Sequence, residues 1–182
     1  MTLEKLEKNP VLEAMATRRS IRRYKPDMVP ADLVNTVMEA GLYAASGRGS
    51  QGTIILAVTD KVLRDRLSAL NCRIGGWKDD FDPFYGAPVV LIVLADKSRP
   101  TALYDGSLVM GNLMLAAHAL GLGSCWIHRA KEEFEGEEGK ALLASLGIEG
   151  DYEGIGHCIL GYADGDVPAA APRKEGRLFH ID

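Results

Sequence analysis

Between residues 18 and 25 the chain carries Arg18, Arg19, Arg22, Arg23 and Lys25, with Ser20 among them. Cations packed that closely repel one another, and the repulsion is relieved when an anion sits among them. Guanidinium forks match phosphate oxygens in bidentate fashion, and the serine adds a hydroxyl donor. The plainer alternatives are a solvated patch or a nucleic-acid contact. A formal net charge of -4 over 182 residues argues against a general nucleic-acid binder. A second basic pair, Arg173 and Lys174, stands near the far end of the sequence and strengthens the phosphate reading.

Other residue types offer little acid–base machinery. His118 lies in an apolar helical stretch, where a satisfied core or interface histidine is the plain reading. His157 and Cys158 are neighbours in a strand-like run and face opposite ways, so they cannot chelate together. His128 follows Trp126 and Ile127 at a strand end, where main-chain groups are free to meet a ligand. No spacing resembles a zinc site, and no metal is expected. Cys72, Cys125 and Cys158 form no CxxC pair and read as free thiols in a reducing cytoplasm. Residues 47–52, GRGSQG, match G-x-G-x-x-G literally. That fingerprint needs strand, loop and then helix, so that a helix N-terminus faces a pyrophosphate. Here a helix precedes the loop and a strand follows it, so a dinucleotide fold is rejected. Anion and backbone donors without an acid–base set are what a chain offers when a cofactor carries the chemistry.

Positioning these groups falls first to residues 105–126. From 108 to 120 they are apolar nearly all round, broken only by Gly111, Asn112 and His118. A helix with no solvated face must be covered on every side, which a chain of this size achieves best with a second copy. The stretch is too short for a membrane span, which needs roughly 20 apolar residues. Gly121 and Gly123 stop it, and a short strand at 124–128 leaves it, so a site is expected at this glycine-rich exit. Upstream, Asn9-Pro10 open a helix with Val11, Leu12, Met15 and Ala16 on one face. Lys25, before a proline, is extended. A second helix starts near Pro30 and turns Leu33, Val34, Val37, Met38 and Leu42 inward.

Residues 53–58 (TIILAV) form a β-branched strand, and Asp60 caps a helix carrying Val62, Leu63, Arg66, Leu67 and Leu70. Residues 71–86 show no period and hold Trp77, Phe81, Phe84 and Tyr85, the pattern of a binding loop or lid. The runs 89–95 and 155–162 read as strands covered on both faces. Residues 132–139 are acidic and expected to be exposed, before a short helix at 139–146. Helices alternating with four strands place a sheet between helical layers. The opening residues, MTLEKLEKNP, lack the apolar run of a signal peptide, so a cytoplasmic location is expected.

Four stretches together resemble the nitroreductase-like FMN-dependent oxidoreductases. They are Arg18-Arg19-Ser20-Ile21-Arg22; residues 45–51 (ASGRGSQ); Asn112-Leu113 with 116–127 (AAHALGLGSCWI); and Pro172-Arg173-Lys174 after Leu160-Gly161-Tyr162. They span nearly the whole chain in the family's order. The resemblance implies an α+β fold, an α-β-α sandwich with a mixed central sheet flanked by helices, over residues 1–182 as one domain. It implies an intertwined homodimer with FMN at the subunit interface and the tail, from about 163, extended over the partner. In this likeness Arg18, Ser20 and Arg22 hold the phosphate, ribityl chain and pyrimidine edge. Arg19 adds contacts, and Arg173 with Lys174 closes the phosphate. From the other subunit Ser46, Gly47 and Gln51 line the isoalloxazine. Trp126, Ile127 and His128 complete the set, the last two presenting main chain with an N–H near flavin N5. The family loop usually reads Ser-x-x-Asn-x-Gln-Pro-Trp. Here Gly49 replaces the Asn and Gly52-Thr53 the Pro-Trp, so a flavin contact passes to backbone or to Ser50.

The implied mechanism is ping-pong: NADH or NADPH gives hydride to flavin N5, then an electron-poor small molecule, such as a nitroaromatic or a quinone, takes the electrons. The protein supplies position and cations, and no catalytic side chain or protein nucleophile is required. No membrane or nucleic-acid partner is implied. The same likeness leaves open a specialised relative (dehalogenation, enone reduction or flavin breakdown) and a flavin-storing protein with little turnover.

Overall fold

The computed structural model describes residues 9–181, and the expectation drawn from residues 1–8 lies outside them. Helix α1, Pro10–Thr17, starts as its sequence requires. Asn9 Oδ1 accepts from the N–H groups of Val11 and Leu12, and Pro10 occupies the first helical position. None of α1 is buried, and Val11, Leu12 and Met15 stand exposed. Helix α2, Ala31–Leu42, buries Val34, Val37 and Gly41. Leu42, expected inward, is 55% exposed. It falls off the face that packs on the next layer.

The remaining elements are β1 (Thr53–Val58), α3 (Lys61–Gly75), β2 (Val89–Asp96), α4 (Ala102–Ala119), β3 (Gly123–Ile127), α5 (Ala130–Glu135), α6 (Glu137–Ser145) and β4 (Tyr152–Gly161). The sheet runs β1-β2-β4-β3 with every neighbouring pair antiparallel. The two continuously apolar runs are thus its two central strands. Val89, Leu91, Val93 and Leu160 pack on Val37, Val109, Met110 and Leu113 of α2 and α4. Val90, Ile92, Leu94 and Ile159 pack on Leu67, Phe134 and Leu143 of α3, α5 and α6. This is the expected α+β sandwich. A mixed sheet was expected, but its four strands are antiparallel throughout; the parallel pairing of Ser20 with Ser124 is an isolated bridge that adds no strand.

Helix α4 ends in a Schellman turn. Leu122 N–H donates to Ala117 O at 2.8 Å and Gly121 N–H to His118 O at 3.0 Å, with Gly121 at φ 75. A single chain covers the helix only in part. Val109, Met110, Leu113 and Ala117 are buried, but Leu103, Tyr104 and Leu108 are exposed. The sheet and α2 cover one side of the helix and leave the other open.

Two further expectations are corrected. Helix α3 runs on to Gly75 and ends at Gly76 (φ 66), so Asn71 and Cys72 are buried helical residues and not the start of a loop. Asn71 broke the apolar period because a polar residue on an inner face is tolerated when it finds hydrogen-bond acceptors there, as both amide protons of Asn71 do. The acidic stretch 132–139 is helical and partly internal: Glu133 is 1% exposed and Phe134 is buried. Glu133 enters the interior because it finds partners there. After the bridge from Tyr24 to Ala163 the described tail contains no helix or strand, and residues 164–181 are exposed. Among the described residues no helix is long and apolar enough to cross a membrane.

Candidate functional site

The arginine segment leaves α1 extended and docks beside the sheet. Ile21 N–H donates to Ser124 O at 3.0 Å, Lys25 N–H to Tyr162 O at 2.9 Å, and Asp164 N–H to Arg23 O at 3.0 Å. Ile21 and Tyr24 are the buried anchors. Their approach needs bare backbone beneath them. A Cβ on Gly123 would stand 3.0 Å from Ile21 Cγ1, and one on Gly161 would stand 2.9 Å from Tyr24 Cδ1. Gly123 belongs to the exit of α4, so the arginine segment packs against that exit.

Arg18, Arg19 and Ser20 line a cavity of about 620 Å³ with Met15, Ala16 and residues 170–173, Arg173 included. Its size suits a small cofactor. The guanidinium of Arg19 gives Nη1 to the carbonyls of Ala16 and Arg18, at 2.8 and 2.6 Å. Arg19 Nε and Arg18 Nη1 are buried with no partner among the described residues. Buried cationic donors left unpaired are costly, and a phosphate would pair them. Arg173 holds itself over Ala171 O through Nε and Nη2. Arg23 has another use, an ion pair with Asp164 at 2.9 Å. Arg22 and Lys174 are exposed and line no part of this cavity.

Behind the arginines a pocket of about 210 Å³ is bounded by Arg18, Arg19, His118, Gly121, Gly123 and Ser124, among others. Ser124 Oγ is buried there without a partner. Thr17 Oγ1 lies 2.8 Å from His118 Nε2. Burial lowers the His118 pKa below the usual histidine range, and the charges of Arg18 and Arg19 lower it further. Ser124 was not among the residues singled out by sequence; a serine in a strand start carries no local signal.

The glycine loop is held from α4. Gly47 N–H donates to Asp105 Oδ1 at 3.0 Å, and Thr101 Oγ1 donates to Asp105 Oδ2 at 2.9 Å. Gln51 N–H donates to Ser46 Oγ at 3.0 Å. A Cβ on Gly47 would run into Thr101 Oγ1. Arg48 and Gln51 take φ of 56 and 49, a strained backbone for residues with side chains. Ser46, Gln51 and buried Asp105 line a pocket of about 180 Å³ that shares no residue with the arginine cavity. One chain therefore does not bring the two sets together. Asp105 was missed as the anchor because its partner lies 58 residues away.

At the end of β3, Trp126 packs with the α2 and α4 side of the core and covers Gly156. Ile127 is buried and His128 exposed. His128 O accepts from Asn71 Nδ2 at 2.8 Å. Arg129 follows at φ 78, its guanidinium 4.1 Å from the centre of the Trp77 ring. Trp77, Phe81 and Tyr85 form an edge-to-face chain with centroids 5.1 and 5.7 Å apart.

Residues 15–72 and 78–162 match the family model described as the nitroreductase family. The chain belongs to the nitroreductase family. Its fold superposes on a nitroreductase with bound FMN from Bacteroides fragilis at a TM-score of 0.85 and 31% identity, covering 96% of this chain and 100% of that one. An FMN-dependent nitroreductase from Clostridium difficile gives a TM-score of 0.82 at 25% identity, over 96% and 100% of the two chains. A Methanothermobacter thermautotrophicus protein named for NADH dehydrogenase or NAD(P)H nitroreductase activity is 30% identical over 138 residues, 72% of this chain and 69% of its own.

Proposed function

We propose that this nitroreductase is an FMN-dependent oxidoreductase that takes hydride from NADH or NADPH and passes electrons to an electron-poor acceptor such as a nitroaromatic or a quinone. One observation carries the reading: Arg18 and Arg19 line a cofactor-sized cavity, and each keeps one buried guanidinium nitrogen, Nη1 and Nε respectively, without a partner among the described residues. The donor set fits a phosphate monoester, and the B. fragilis relative holds FMN. When bound, FMN supplies hydride acceptance at N5 and onward transfer in two half-reactions. Arg18, Arg19 and Ser20 bind its phosphate end, and Arg173 closes over it. Arg22, exposed beyond Ile21, offers a positive charge to the ring system, with Lys174 adding charge at the rim. Trp126 fixes the strand, and Ile127 and His128 present main chain. No side chain is needed as acid, base or nucleophile.

The glycine loop belongs to the same site if a second copy supplies it. The exposed apolar faces of α1 and α4, with Leu103, Tyr104, Leu108, Val11 and Met15, support a homodimer. In that dimer Ser46, Gly47 and Gln51 of one copy line the cofactor held by the arginines of the other, and the tail crosses the partner. Free Cys72, Cys125 and Cys158 support a reducing, cytoplasmic setting.

A visible absorption spectrum tests the reading. Purified protein, or protein soaked with FMN, is expected to be yellow and to bleach when NADH or NADPH is added without oxygen. Protein that stays colourless in excess FMN overturns it. Sedimentation at micromolar concentration is expected to give a dimer, and Leu108→Arg a monomer with weakened FMN retention.

A further inference from the structure

Beneath the end of β3 three polar side chains from three elements are sealed from water. Asn71 of α3 and His157 of β4 are 0% exposed, and Glu133 of α5 is 1% exposed. Asn71 Nδ2 donates to Glu133 Oε1 at 2.6 Å and to His128 O at 2.8 Å. Glu133 Oε2 lies 2.9 Å from His157 Nε2. Both amide protons of Asn71 are thus used on acceptors, which fixes its orientation; the flipped amide would set an oxygen against two oxygens. His157 Nδ1 and Asn71 Oδ1 have no partner. With Nδ1 unpaired, the imidazole is best satisfied as the Nε2–H tautomer donating to an ionised Glu133.

A buried carboxylate is an expensive support, and packing alone does not require one. What the network reaches is the peptide of His128, next to the left-handed backbone of Arg129 at φ 78. Its free end is therefore the main chain at the candidate site. We infer that Asn71, held by Glu133 and His157, is a positioning residue that sets the His128 peptide against the flavin and thereby the rate of hydride arrival. The inference rests on the proposed function, since it assigns the network a role at that site. Glu133 holds one amide proton of Asn71 and so directs the other to His128 O. His157 holds the far carboxylate oxygen and stops Glu133 from turning away.

A swap separates positioning from packing. In Asn71→Asp/Glu133→Gln the new glutamine donates to the new aspartate and accepts from His157 Nε2–H. The two internal bonds and the net charge are kept, while the donor to His128 O is replaced by a carboxylate oxygen that repels that carbonyl. Melting temperature, FMN retention and the rate of anaerobic flavin reduction by NADH or NADPH are measured on the dimeric, FMN-loaded protein. The expected result is a folded dimer, melting below the native protein because of that repulsion, with near-native FMN content and flavin reduction slowed about tenfold or more, a barrier change of the size expected for a misplaced main-chain donor. A swap that reduces as fast as the native protein overturns the inference. If the swap does not fold, Asn71→Ala and Glu133→Gln carry the test. Glu133→Gln can keep the bond to His128 by a change of His157 tautomer, so it is expected to slow reduction less than threefold and Asn71→Ala at least tenfold, at equal flavin occupancy. Equal slowing in both overturns the inference. Native protein that never turns yellow defeats the proposed function instead, which keeps the two failures apart.

Discussion

Arg64 and the pair Arg18 and Arg19 have all been drawn out of water, with opposite outcomes for their donors. Arg64, on α3, gives Nε to Ala87 O at 3.1 Å, Nη1 to Asp65 at 3.1 Å and Nη2 to Asp82 at 2.5 Å. Its guanidinium also lies 5.4 Å from the centre of the Phe84 ring. Asp82 in turn accepts from Ser68 Oγ, Phe84 N–H and Gly86 N–H. Each of its oxygens is spoken for, and the segment carrying Phe81, Phe84 and Tyr85 is pinned to α3. Arg18 and Arg19 each keep a buried nitrogen with no partner. A guanidinium satisfied within the chain maintains the fold, whereas one that keeps an unpartnered nitrogen beside a cavity is the one proposed to take a ligand.

That contrast breaks most sharply under alanine substitution. Arg64→Ala leaves Asp82 without its cation and is expected to cost about 3 kcal/mol of folding stability, at the low end for a broken buried pair because Asp82 is partly open to solvent. Urea unfolding checks it, and a loss below about 1 kcal/mol would place Arg64 with ordinary surface arginines. Arg18→Ala removes a donor with no hydrogen-bond partner among the described residues. Stability of the flavin-free protein is expected to change by about 0.5 kcal/mol or less. FMN binding is expected to weaken by about 1.5–3 kcal/mol, the scale of one charged hydrogen bond. Unchanged FMN affinity in an equilibrium titration would remove Arg18 from the phosphate site.

Legibility in the sequence divides along the same line. The arginine segment was readable because its members are neighbours in the chain and share one chemistry. Helices α1 and α2, the strands and the cap at Asp60 followed from periodicity and end residues, which are also local; Asp60 Oδ1 accepts from Leu63 N–H at 2.8 Å. The clamp at Arg64 and the cluster of Asn71, Glu133 and His157 were not readable, because each is assembled by the sheet from distant segments. Seen alone, Glu133 is one acid in an acidic run and Asn71 is a break in a helical pattern. Only the meeting of α3, α5 and β4 supplies the partners that let both go inside. The open face of α4 was half readable: its apolarity is in the sequence, but which side the chain itself covers is decided by α2 and the sheet.

Asp82 sharpens the contrast through pH. Burial raises its pKa, but hydrogen bonds from Arg64, Ser68 and Gly86 N–H outweigh it and hold the carboxyl below the usual range. A folded pKa below the unfolded one contributes stability that is complete above the unfolded value and is lost as pH falls through the folded value. Asp82→Asn, whose amide would face two donors, is expected to cost about 1.5 kcal/mol near neutrality. The gap from the native protein should hold down to about pH 4 and close below it. A gap that stays constant to pH 2 would mean that the cost of Asp82→Asn lies in packing and not in charge.

The smallest expected effect tests the unsatisfied side from within. Burial, then Arg18 and Arg19, depress His118, so the folded chain prefers the neutral imidazole. Below about pH 6.5 the unfolded chain binds a proton the folded one resists, and flavin-free protein should lose stability as pH falls through that value. A phosphate between the two arginines cancels part of their field and should raise the His118 pKa. Linkage is reciprocal, so FMN should bind somewhat more tightly once His118 is protonated. Residue-resolved NMR titration of the imidazole, with and without FMN, reads this directly. The shift should be upward on loading and absent in Arg18→Ala/Arg19→Ala protein brought to the same FMN occupancy. Arg64 offers the internal control. Its charge is already countered by Asp65 and Asp82, so FMN should leave the titration of Asp82 where it was. An upward shift at His118 with no change at Asp82 places the phosphate at the arginines that lack partners; equal movement at both would mean that FMN acts on the whole fold instead.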